Sequence, residues 1–349
     1  MFAYWALFSY FVVGLLANRG SDRGHRISSF FLLVGAILIA LMIGLRFQVG
    51  GDWIQYEQLF AYARFSNVRQ MLEFGDPAYQ LVNLGVANLG GDFWLVNLIS
   101  GAIFAWGLYR LANTQPDPWL VMIAAIPYLV VVVAMGYTRQ GVAIGLLMAG
   151  LASLLRGGSV IRYAIYVAAA ALFHKTAVVG LPLIMFVGDR SRWINALFVI
   201  ASGILMYDVF LSGATDGFFK NYVDARYNSQ GASIRVAMSV IPATLFLLMR
   251  RRFAMGAKED LLWRNFAYAA FALLVLLFVL PSSTVVDRLA LYILPIQLVI
   301  VARLPRLGFG VGFGRIMAVA YSFAVLFVWL NYAVHADYWI PYRLFPVFG

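Results

Sequence analysis

The sequence predicts an all-α, polytopic bundle of about 11–12 hydrophobic transmembrane segments, one of them broken or re-entrant. Three observations predict it. Of the 349 residues, 63% are apolar and only 12% charged; mean hydropathy is +0.84; and apolar stretches of near-spanning length recur along the chain. A soluble domain is about half apolar and about a quarter charged, so a soluble fold would lack the polar residues to cover this surface. The 28 Phe, 19 Tyr and 9 Trp fit a protein whose rings anchor helices at headgroup level. With no cysteine, disulfides, thiolate metal sites and a Cys nucleophile are excluded.

A spanning helix takes roughly 17–25 mainly apolar residues. Apolar stretches lie near 3–17, 28–45, 92–110, 119–137, 140–155, 193–207, 234–249, 261–281, 289–302 and 316–334. Met1 to Ala17 lacks the basic start and small-residue cleavage site of a signal peptide and reads as a retained first helix. The short run 79–90 ends at Gly90-Gly91 and leads into the helix beginning near Phe93. The stretch 162–187 is interrupted by Phe173-His174-Lys175-Thr176. The whole chain, 1–349, reads as a single integral membrane domain, with extracytoplasmic segments at 46–78 and 208–233. Within the first of these, the spacings Ile54, Leu59, Phe60 and Val68, Met71, Leu72 predict short amphipathic helices.

Arg and Lys set the sidedness, because they concentrate in cytoplasmic loops. Arg19, Arg23 and Arg26 put the first loop inside and the N-terminus outside, and the basic loops Arg156 to Arg162 and Arg250 to Lys258 follow inside. All basic loops stay inside only if 162–187 enters, turns at His174-Lys175 and returns. Sixteen basic and five acidic residues then lie inside and ten of each outside, so the entire net charge of +11 is cytoplasmic. Both termini are expected outside. The basic pI thus reflects topology, not a nucleic-acid partner. A turn that breaks helix at membrane depth is tolerated only where protein or a wet cavity surrounds it.

Five polar clusters converge on the outer end in this topology. They are Arg46 with Asp52 and Tyr56; Asp76 with Tyr79; Arg139 with Gln140; His174 with Lys175; and Asp287 with Arg288. Ionisable groups beside apolar runs are costly and are usually paired or functional. Several guanidinium forks at one place suit a phosphate or diphosphate; the alternative is that the arginines snorkel to the headgroups or are neutralised by Asp52 and Asp287. His174 is one of three histidines and, titrating near neutrality, is a candidate general base. Asp52, Asp76 and Asp287 compete for that role. No His/Asp/Glu spacing marks a metal site, and no cofactor is expected. The glycines 308, 310, 312 and 314 lack the strand and Lys-Ser/Thr of a phosphate loop.

At these residues a family resemblance emerges. Arg46-Phe-Gln-Val-Gly-Gly-Asp52-Trp-Ile-Gln-Tyr56 resembles the R-x-x-V-G-x-D-x-x-x-Y signature of the EpsG-like family of bacterial polysaccharide biosynthesis proteins. Pro77-Ala78-Tyr79, Thr138-Arg139-Gln140-Gly141, Phe173-His174-Lys175-Thr176-Ala177 and Asp287-Arg288 follow in order over roughly 40–295. Asp76 departs from the pattern, where Glu is expected before Pro77. The family is similar to Wzy-type polymerases. The resemblance implies a metal-independent membrane glycosyltransferase in the bacterial inner membrane. It would join undecaprenyl-diphosphate-linked repeat units at the outer face, with polysaccharide export proteins as candidate partners. It implies catalytic roles for His174, Asp52 and Arg139, and substrate binding by Arg46, Tyr56, Asp76, Tyr79, Gln140, Lys175, Asp287 and Arg288. A flippase or transporter, a ligase and an acyltransferase acting on the glycan are the alternatives.

Overall fold

The structure is a computed structural model. It describes residues 1–18, 22–184, 231–280, 282–308 and 310–348, together with residues 187, 200, 204 and 229. Those residues form helices and turns with no strand, and the one β-bridge joins Arg46 to Leu344. The apolar stretch 193–207 and most of segment 208–233 lie outside the described residues.

In chain order the helices are α1 (Phe2–Ala17), α2 (Asp22–Gly44), α3 (Trp53–Ala63), α4 (Val68–Leu72), α5 (Pro77–Asn88), α6 (Phe93–Ala112), α7 (Pro118–Ala125), α8 (Thr138–Leu155) and α9 (Val160–Phe173). They continue as α10 (Ala232–Met249), α11 (Ala257–Val279), α12 (Ser283–Ile293), α13 (Pro295–Val301) and α14 (Val311–Tyr332). Five described helices are long and apolar enough to cross a membrane: 93–112, 138–155, 232–253, 257–279 and 311–332. Shorter apolar helices correspond to the expected segments near 3–17, 28–45, 119–137 and 162–187, a bent helix pair corresponds to 289–302, and α3 and α4 are the short helices predicted within 46–78. The protein is a multi-pass, all-α membrane bundle.

Small residues let the central helices approach. A Cβ on Gly107 of α6 would stand 1.8 Å from the Gly145 carbonyl oxygen of α8, and one on Gly145 would stand 2.6 Å from the Phe104 Cα. Backbones pack directly here, as small residues permit in membranes. Gly107→Leu is expected to lower the unfolding temperature in detergent, costing about 1–3 kcal/mol through overpacking. Gly85→Leu, with open space at its Cβ, should leave it unchanged.

Two spans depart from the plain helices expected. The 119–137 stretch passes from α7 into a fully buried π-helix, Ile126–Ala134. Pro127 lies at the change of register, where it has no N–H to give. Within the π-helix the Val131 carbonyl accepts the Trp339 indole N–H at 2.6 Å. The second departure is a 42° bend between α12 and α13, at Leu294-Pro295. Helix α12 begins at Ser283, so Asp287 and Arg288 lie inside a helix instead of opening one at 289. The polar start Ser282-Ser283-Thr284 hid those first turns from an apolar count.

The chain reverses at His174-Lys175. Helix α9 ends at Phe173, His174 is extended (φ −157°, ψ 111°), and two 3-10 turns follow at Lys175–Gly180 and Pro182–Ile184. The Tyr163 hydroxyl, near the start of α9, donates to the Gly180 carbonyl at 2.9 Å. Asn265 of α11 donates to the Leu183 carbonyl at 3.0 Å. Side chains thus satisfy part of the irregular backbone, as a bilayer core demands. Val187 reaches a cavity shared with Gly157 and Ser159, at the far end of α9 from His174.

The two ends of the bundle differ in charge. Residues 46–92, 135–139, 174–175, 282–288 and 335–344 gather at one end. The Arg250–Arg252 triplet, Arg303, Arg306 and Arg315 gather at the other, where Arg303 pairs with Glu259 (2.8 Å) and Arg315 with Asp117 (3.0 Å).

Candidate functional site

The site is built where four connections meet at the first of these ends. Gly50 sets the register of the 46–56 loop. It holds φ +109°, a Cβ there would lie 2.4 Å from the Met135 carbonyl, and its N–H donates to Tyr338 O at 2.9 Å. Only glycine meets both demands. Two residues on, Asp52 caps α3 with its carboxylate free of any cap bond. Asp52 lies within electrostatic reach of Arg139 and Arg288 and has no ion-pair partner within salt-bridge distance among the described residues. Burial pushes its carboxyl above the usual carboxylate range, and the two arginines oppose that shift.

Arg139 occupies the first turn of α8, where the helix dipole disfavours a cation. Asp76 offsets this through a 2.7 Å ion pair. Asp76 sits in the left-handed region (φ 49°) immediately before Pro77, the first residue of α5. Its other oxygen faces the Lys175 amide at 3.4 Å, so one carboxylate joins α5, α8 and the reversal. Burial also raises its proton affinity, against Arg139 and the Lys175 amide. The Arg139 guanidinium lies 5.6 Å from the Tyr56 ring centroid, and Tyr56 in turn packs edge-on against Tyr79.

At the reversal, His174 Nδ1 and Thr176 Oγ1 are 3.1 Å apart, and the Thr176 hydroxyl donates to Tyr292 Oη at 3.2 Å. Gln140 donates to the Arg288 carbonyl at 2.8 Å. Arg139, Arg288 and Lys175 all lie within electrostatic reach of His174. The Lys175 and Arg288 side chains are exposed, while Arg139 is partly covered. Asp52, Tyr56, Asp76, Arg139, Gln140, His174, Lys175 and Arg288 therefore cluster at one mouth of the bundle, with Lys175 and Arg288 exposed and Tyr56 and Gln140 buried.

Three of the expected residues lie elsewhere. Arg46 is 1% exposed. Its guanidinium donates to the Ile43 carbonyl, to Val49 O (3.2 Å), Asn97 Oδ1 (3.0 Å) and Thr138 Oγ1 (2.8 Å). It is a clamp between α2, α6 and α8, with its donors turned inward. Tyr79 is wholly buried behind Tyr56. Asp287 turns away from its neighbour Arg288 and pairs with Arg235, while the Ser229 hydroxyl donates to it at 2.9 Å.

Arg235 escaped the sequence reading. It lies one turn inside α10, buried between the rings of Tyr128 and Tyr137 and bonded to both hydroxyls. The signal was present: an arginine within an apolar helix is costly unless paired. Among the described residues, no group of three or more His, Asp or Glu is placed to hold a metal ion.

Fold and site together define a multi-pass membrane protein with a cationic mouth at one end of its helices and, beside it, a carboxylate that has no salt-bridge partner among the described residues. The EpsG family pattern matches residues 28–344, nearly the whole chain. The chain belongs to the EpsG family, membrane proteins of polysaccharide biosynthesis. No curated protein and no solved structure matches it.

Proposed function

We propose that this protein is a polymerase that joins polyprenyl-diphosphate-linked oligosaccharide units. The observation that carries the reading is Asp52, without a salt-bridge partner among the described residues and within electrostatic reach of Arg139 and Arg288, at a mouth that also holds Lys175 and His174. An acceptor hydroxyl attacks the anomeric carbon of the donor glycan, forming the new glycosidic bond. The bond from that carbon to the diphosphate oxygen breaks, and its electron pair leaves with the diphosphate. Asp52 takes the hydroxyl proton. Arg139, Arg288 and Lys175 stabilise the charge that grows on the leaving group, which is where preorganised cations act most strongly. The basic loops at the opposite end support an extracytoplasmic mouth, and with it an inner-membrane location.

Purified protein with an undecaprenyl-diphosphate-linked repeat unit, chelator and no nucleotide is expected to yield a ladder of lengthening glycans. Binding without lengthening would mean a transporter using the same cations, and transfer of one unit to another acceptor would mean a ligase. The ring of His174, held by Thr176, which in turn bonds Tyr292, supports a second reading in which it takes the proton. His174→Gln, and not Asp52→Asn, would then abolish growth.

A further inference from the structure

A cleft of about 1000 Å³ opens between α10 and α14, and its upper end reaches Asp52. Its polarity changes along its length. At the mouth end it is bounded by Asp52, Arg235 and Ser229, with the rings of Tyr137, Trp329 and Tyr332 around them. Further down, its walls are Met238, Ile241, Val325 and Val328. From Tyr332 to Tyr321, both on the cleft, α14 covers about 16 Å at the helical rise. Ile241 and Val328 are 65% and 55% exposed, so the aliphatic part is open to the side, where the bilayer would be.

An amphiphile fits this gradient, with its tail below and a polar, ring-bearing head above. The aliphatic stretch suits a hydrocarbon chain entering from the bilayer, because Met238, Ile241, Val325 and Val328 line it. The upper part suits a sugar. Aromatic faces cover the C–H faces of sugar rings, while the carboxylate of Asp52 suits a sugar hydroxyl. A bulk phospholipid would use the walls and leave the rings without such a partner. Charge also separates this cleft from the cationic mouth: Arg235 is balanced by Asp287, so the cleft suits a diphosphate that stays joined to its glycan, while the charge that grows on a leaving diphosphate falls to Arg139, Arg288 and Lys175.

We propose that the α10–α14 cleft is the lateral entrance that delivers the lipid-linked acceptor glycan to Asp52, with the prenyl chain on the aliphatic walls and the sugars among the rings. This rests on the polymerase reading and states where its acceptor is held. The donor diphosphate then occupies Arg139, Arg288 and Lys175, on the other side of the same carboxylate.

The test places the photoreactive residue p-benzoylphenylalanine at Val325, inside the cleft, or at Val275, exposed on α11 outside it. Full-length protein in lipid nanodiscs is irradiated with the labelled undecaprenyl-diphosphate repeat unit. Labelling at Val325 but not at Val275, suppressed by Ala324→Trp or Val328→Trp, is the expected result. Equal labelling at the two positions, or capture of bulk phospholipid alone, overturns the proposal. In the growth assay, Ala324→Trp should raise the apparent KM about tenfold, a change of about 1.4 kcal/mol, and Val275→Trp should not. Chain growth by the wild type without cleft labelling removes the entrance and leaves the polymerase. Specific labelling without chain growth removes the polymerase and with it the acceptor role, leaving only a lipid-linked glycan site.

Discussion

Asp52→Asn is expected to cut the turnover of chain growth by about a hundred- to ten-thousand-fold, the usual contribution of a positioned general base, while donor binding changes little. The reasoning is electrostatic. A carboxylate already locked to an arginine has spent its basicity, as Asp76 has on Arg139. Asp52 is held near two arginines without such a lock, and burial raises its proton affinity. A base works only when ionised, so turnover should fall as pH is lowered through this raised pKa, at higher pH than for an ordinary aspartate. The Asn variant should lose that acidic limb along with the rate. The pH profile of turnover for both proteins checks this, and an unchanged rate in the variant removes Asp52 as the base.

Arg235→Leu is expected to cost about 3–5 kcal/mol of stability, because it leaves the Asp287 carboxylate buried without its counter-charge. Asp287 is only 5% exposed, and one of its oxygens has no hydrogen-bond partner among the described residues even in the wild type. The double variant Arg235→Leu/Asp287→Leu should recover most of the loss, since replacing a buried pair by apolar groups is far cheaper than breaking it. Unfolding temperatures of the three variants in one detergent measure the difference. If the single and double variants unfold alike, the pair is not what holds α10 to α12.

The sequence revealed the multi-pass class, the reversal at His174-Lys175 and the short helices within 46–78. Each depends on local information: apolar runs of a given length, a polar break inside one of them, and spacing on a single turn. It also marked most residues of the mouth, since charged groups beside apolar runs stand out against the cost of placing them there. The misreadings share one cause. Arg46 and Arg139 look alike in sequence, but the acceptors that consume Arg46 include Asn97 and Thr138, supplied by helices far along the chain. Asp287 and Arg288 look like a unit, yet successive residues on a helix point about 100° apart, so one meets Arg235 and the other meets solvent.

The amino-acid sequence by itself determined that this chain lives in a membrane and which side chains are too expensive to be incidental. The tertiary structure decided which of those side chains remain available. A cation's or carboxylate's chemistry depends on how many of its partners the fold has already supplied. Those partners come from other helices: Asp76 for Arg139, Asp287 for Arg235, and no salt-bridge partner for Asp52 among the described residues.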